Sequence, residues 1–240
     1  MLVLCGACAT VPPHRPVADD ARRALALLDA RWQEFTDFRT LADIVLTRDR
    51  ETLRFTGALL VKGPDSVRLE ALSPLGQPYF LVTVHEGQLT AYDATKNAAR
   101  VGPATAETIA RVLGLPLDAD ALVAVLAGHA VPPKDLRVAE LVPDDRLGPS
   151  LTLVGADRRQ RVWMDFETGA VRQLEIDGGP FPVTITFRRD GEALSGFDLR
   201  SEPADVAGSV TYRNLVVGGG IEPERFTLAL PKGAKTQSIR

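Results

Sequence analysis

Groups able to carry covalent, metal or acid–base chemistry are scarce in this sequence: 240 residues hold two cysteines and three histidines. Cys5 and Cys8 are separated by only two residues near the N-terminus, so no disulfide framework staples the chain. His14, His85 and His129 fall in no metal-ligand spacing such as His-Glu-x-x-His, and surface positions are expected for all three. A Gly-x-Ser-x-Gly nucleophile elbow is missing, since Ser209 beside Gly208 lacks the second glycine. Gly233-Ala234-Lys235-Thr236 is a faint echo of a phosphate loop whose lysine follows alanine, and Gly218-Gly219-Gly220 reads as a flexible loop. No catalytic residue, metal or cofactor is therefore expected, and the chain reads as a binding protein, not an enzyme.

A large excess of charge of one sign is lacking too. A formal net charge of -3, a pI near 5.7 and the lack of long basic runs leave no electrostatic footprint for phosphate backbones, which argues against nucleic acid as a partner. After the first few residues no apolar stretch approaches the roughly 20 residues needed to cross a hydrocarbon core. What is present, 45% hydrophobic and 25% charged residues, suits one globular domain with a sizeable core, expected as a monomer.

The N-terminus reads Met-Leu-Val-Leu-Cys-Gly-Ala-Cys-Ala, and Gly6-Ala7-Cys8 resembles a bacterial lipobox, in which small side chains precede a cysteine that becomes lipidated. The positive n-region and most of the apolar h-region of a signal peptide are missing, so translation is expected to start upstream of Met1. This divides the chain into a truncated signal peptide (1–7), a proline-rich tether (8–18) containing Pro12, Pro13 and Pro16, and a folded domain (19–240). Within the domain, acidic Asp19 and Asp20 precede Ala21, Ala24, Leu25, Leu28, Trp32 and Phe35 at helical spacing, which predicts an amphipathic helix packed on a sheet.

From Leu41 the period becomes two. Leu53 to Val61, Val67 to Leu69 and Phe80 to Val84 alternate, as do Val162 to Phe166, Leu174 to Ile176, Val183 to Phe187 and Phe226 to Leu230. Thr168-Gly169 and Asp190-Gly191 supply hairpin turns. Midway, Thr105 to Leu113 and Asp118 to Ala127 predict two short helices joined by Leu115-Pro116-Leu117, the second stopped by Gly128. The fold class is mainly β (α+β): a single, strongly curved antiparallel half-barrel with an N-terminal helix and a short helical lid. An apolar concave face under such a lid is expected to hold a greasy ligand. Phe55, Leu69, Phe80, Val82, Ile185 and Phe187 are expected to face it, with Leu113, Leu122 and Leu126 closing over it.

Ser73-Pro74-Leu75-Gly76 between two strands, Val112-Leu113-Gly114-Leu115-Pro116-Leu117, the apolar Leu122 to Gly128 segment and the ending Phe226 to Gly233 together resemble the LolA/LolB lipoprotein-localisation family. The resemblance runs from about Ala21 to Gly233 and implies an outer-membrane lipoprotein facing the periplasm. It also implies that acyl chains of lipoproteins or phospholipids enter the half-barrel, that a LolA-like periplasmic carrier is a partner, and that Leu75, in the membrane-insertion loop Ser73 to Gly76, is required to insert cargo into the membrane. Ala9 after the lipidated cysteine is similar to outer-membrane sorting signals. A lipid-binding scaffold or sensor lipoprotein of the same fold that transfers nothing is the alternative.

Overall fold

The computed structural model describes residues 12–239; Cys8, the segment expected as a signal peptide (1–7) and the first part of the expected tether lie outside the described residues. Residues 12–18 hold no helix, and Arg15 donates its backbone N–H to Arg137 O at 2.9 Å. The predicted N-terminal helix is α1 (Asp19–Glu34), whose acidic first turn and Arg31 in the last turn both complement the helix dipole. It buries Ala21, Ala24 and Leu28, and Trp32 and Phe35 stack at 5.7 Å where the chain turns into the sheet.

One sheet of fourteen strands follows. Its first run is β1 (Asp37–Arg48), β2 (Glu51–Lys62), β3 (Ser66–Leu72), β4 (Pro78–His85), β5 (Gln88–Asp93) and β6 (Ala98–Pro103). Two helices, α2 (Ala106–Leu113) and α3 (Ala119–Leu126), come next. The second run is β7 (Val138–Val142), β8 (Ser150–Val154), β9 (Arg159–Met164), β10 (Val171–Asp177), β11 (Val183–Asp190), β12 (Ala193–Ser201) and β13 (Val206–Val217), with β14 (Lys235–Ser238) last. Each run is an antiparallel meander, and β1 pairing with β13 fuses them into the order 14-6-5-4-3-2-1-13-12-11-10-9-8-7. The result is an open, curved, mainly β sheet with three helices.

This order places the helices. β6 lies near one end of the sheet and β7 forms the other, so the chain between them must cross the open side, and α2 and α3 are that crossing. α3 packs on β2 and β3, α2 on β5, and α1 runs beside the edge strand β7. The opposite edge, β14, is short and exposed, with the sequence Lys-Thr-Gln-Ser, a combination that discourages edge-to-edge pairing.

Three expectations are corrected. The sheet is not wholly antiparallel, because β14 pairs with β6 in parallel. Phe226 to Leu230 is no strand: Pro223–Phe226 forms a 3-10 turn and the following residues are extended but unpaired, alternating in burial all the same. A period of two reports extended backbone with one covered side, which a single segment lying on the sheet also satisfies; Phe226 is buried against the His85 ring. Gly218-Gly219-Gly220 is tied down, since the backbone N–H groups of Gly219 and Gly220 donate to the buried carboxylate of Asp37 (2.9 and 3.1 Å) and Gly218 N–H to its carbonyl (2.9 Å).

Candidate functional site

The concave face of the sheet and the two crossing helices enclose an apolar cavity of about 570 Å³, within the range of small-molecule sites. Phe55 of β2, Leu69 of β3 and Phe80 of β4 line one wall, and Leu113, Leu122 and Leu126 line it from the helices, so these six predicted residues converge on one space. They do so because alternate strand residues share a face and α3 crosses that face.

Val82, Ile185 and Phe187 point to the same face but do not line the cavity. They are 2%, 0% and 7% exposed, sealed in the core, and Phe187 meets Phe197 edge-on at 6.4 Å. Strand alternation selects a face; where along the strand that face stays uncovered depends on what packs there. Leu46, Leu53, Val112, Leu115, Phe197 and Val210 are among the further lining residues that were missed. The last two belong to β12 and β13, where intermixed Gly, Ser, Thr and Arg blur the alternation, although the pair Phe197 and Leu199 carries it.

The two helices are held differently. Asp118 caps α3 by accepting from Ala121 N–H at 3.0 Å and pairs with Arg158 at 2.7 Å. At the other end the fully buried Tyr212 hydroxyl donates to Leu126 O at 2.7 Å, and burial pushes its pKa up. Thr105 caps α2, and Gly114 ends it in the left-handed region (φ 74), the conformation that glycine adopts without cost. Arg111 and Glu107 pair across one turn of its outer face.

Ser73, Pro74, Leu75 and Gly76 form the turn between β3 and β4, closed by Gly76 N–H donating to Ser73 O at 2.8 Å. Pro74 presets the first corner and Gly76, at φ 77, allows the exit; Leu75 at the tip is 87% exposed. Register puts this turn at the same end of the strands as the β1–β2 hairpin, because Leu72, the last residue of β3, pairs with Thr56 and β2 runs on from there to the hairpin. That end is also where Leu46 and Leu53 face each other at the end of the cavity, with Leu53 54% exposed.

Other chemistry is limited. Among the described residues no group of three or more His, Cys, Asp or Glu could hold a metal, and no helix is long and apolar enough to cross a membrane. Only His14 is a surface histidine; His85 and His129 are largely covered, which corrects the expectation for both. His85 Nδ1 lies 2.8 Å from the Ser66 hydroxyl, a contact between β4 and β3 that the sequence did not reveal. Ser66 is 5% exposed and does not line the cavity, so the contact ties β3 to β4.

Neither a family model nor a curated protein matches the sequence. Solved structures do resemble it. A LolA superfamily protein from Nitrosomonas europaea matches 88% of this chain and 99% of its own at 13% identity, with a TM-score of 0.61. A domain described as an outer membrane lipoprotein-sorting protein from Vibrio parahaemolyticus matches 86% and 97% at 14% identity, TM-score 0.60. A DUF1329 family protein from Desulfovibrio piger matches 88% and 98% at 13% identity, TM-score 0.63. At such identities the likeness is one of fold, and the chain carries the fold of LolA-superfamily and lipoprotein-sorting domains across most of its length.

Proposed function

We propose that this protein is a bacterial envelope lipoprotein, anchored through Cys8 to the periplasmic face of the outer membrane, that shelters acyl chains in its cavity and receives or inserts lipoproteins there. The observation that supports it most is the cavity itself: an apolar space of about 570 Å³ between a curved sheet and a helical crossing, in a chain with little recognisable catalytic chemistry. Each methylene buried there is worth about 0.8 kcal/mol, so acyl chains bind without a head-group motif. α2 and α3 act as the lid, with Tyr212 pinning the end of α3. The fold shared with a domain described as lipoprotein-sorting agrees with this reading.

Native mass spectrometry of the protein extracted gently from membranes tests it. Co-purifying acylated species are expected, and masses matching lipoproteins would support transport. A consistently empty cavity would overturn the acyl-chain reading.

A further inference from the structure

The cavity is polar at one end only. Among the described residues that line it, Tyr79, Asp93 and Thr95 alone have side chains with oxygen or nitrogen, and they lie at the start of β4 or at and just beyond the close of β5, where Phe80 pairs with Asp93. Among the described residues Asp93 is the one charged residue of the lining, and no lysine, arginine or histidine belongs to it. Its Oδ1 accepts from Thr95 N–H (3.0 Å), the Thr95 hydroxyl (2.6 Å) and Lys96 N–H (3.2 Å), while Lys96 Nζ approaches Oδ2 at 2.9 Å with its side chain 75% exposed. The Thr95 and Lys96 hydrogen bonds hold the carboxyl at a pKa of about 2, so it stays ionised at any physiological pH.

An acyl ligand places its chain among the apolar walls and leaves its polar end at this rim, because burying that end without partners costs free energy. A carboxylate there would face the Asp93 carboxylate, whose charge the exposed Lys96 offsets only in part. An ester or amide carries no charge, so the Asp93 carboxylate exerts no like-charge repulsion on it.

We propose that Asp93 is a specificity-determining residue of this cavity, admitting chains whose polar end is uncharged, as in ester- or amide-linked acyl groups, and disfavouring free fatty acids. The proposal rests on the acyl-chain reading above and adds to it the class of chain that enters. Lys96 tempers the effect by neutralising part of the charge.

The test uses the full-length chain carrying Cys8→Ser, loaded with a fluorescent apolar dye, and compares displacement at pH 8 by dodecanoate and by 1-monododecanoylglycerol, which share a chain and differ at the polar end. The glyceride is expected to displace the dye at about tenfold lower concentration. Asp93→Asn, which keeps an acceptor for the turn, should narrow the gap by improving dodecanoate alone. Lys96→Gln, at an exposed site, should widen it. Equal displacement by both compounds in the parent protein, or variants that move both alike, would overturn the role of Asp93 and leave the cavity reading standing; displacement by neither removes both.

Discussion

His129 shows how a single residue carries a measurable consequence of packing. It follows the left-handed Gly128 at the end of α3, donates its backbone N–H to Ala124 O at 2.8 Å, and sets its ring 6.0 Å from Trp32 and 5.9 Å from Phe35. Burial, then the nearby Arg189 and Arg31 charges, press its pKa from 6.5 to about 4, with Glu34 pulling weakly the other way. In the unfolded chain it takes up a proton near pH 6.5, and in the folded chain only near 4. Stability from this group is therefore complete above pH 6.5 and is lost as pH falls towards 4, by roughly 3 kcal/mol at most. His129→Phe should flatten that part of the profile, read as the difference in denaturant midpoint between parent and variant at pH 7 and pH 4.5; an unchanged difference would show a solvated ring. The sequence offered no sign of this, because the residues around His129 come from α1 and β11.

At the scale of elements, local chemistry was well preserved. Asp118 and Gly128 bracket α3 as their residue types predict, and the Pro74 and Gly76 positions make a tight, protruding turn whose conformation needs nothing from the rest of the molecule. With Leu75 87% exposed, Leu75→Glu should change stability by no more than about 0.5 kcal/mol. If the proposed membrane contact is made, the same change weakens liposome binding of the Cys8→Ser protein and lowers delivery of acylated cargo, since one leucine contributes about 2 kcal/mol to an interface. Normal liposome affinity together with normal transfer would remove the membrane role. Several elements escaped the sequence for physical reasons. β14 is wholly polar and becomes a strand only because β6 offers an edge, while β5 and β6 interleave small and polar residues that fit a strand only once their neighbours are in place.

At the scale of the whole molecule, the segment before α1 contributes little to the fold. Among the described residues it meets the body through Arg15 N–H to Arg137 O, Arg137 Nη1 to Pro12 O at 3.2 Å, His14 near Asp135 at 3.8 Å, Arg22 to Val17 O at 2.9 Å and the half-buried Val17 side chain. A complete precursor carrying Cys8→Ser is thus expected to yield a soluble, folded protein with Tm within about 2 °C of the parent. Labelling with an alkynyl fatty acid should mark the parent and not the variant; equal labelling of both would refute lipidation at Cys8.

Spacing and residue type alone determined that the chain is mainly β, that a helix opens the domain and two interrupt it, where the β3–β4 turn projects, and which strand face is apolar. These follow from backbone geometry and a few neighbours, which the local sequence encodes directly. Tertiary structure decided which apolar residues became core and which became cavity. Val82 and Phe80 share a face of β4, yet one is sealed and the other lines open space, because β1 pairing with β13 curves the sheet and the crossing from β6 to β7 lays α3 over part of it. It also decided that Asp93 should stand at the rim, since the position of a turn relative to a cavity depends on pairings between residues far apart in the chain, and no local pattern records them.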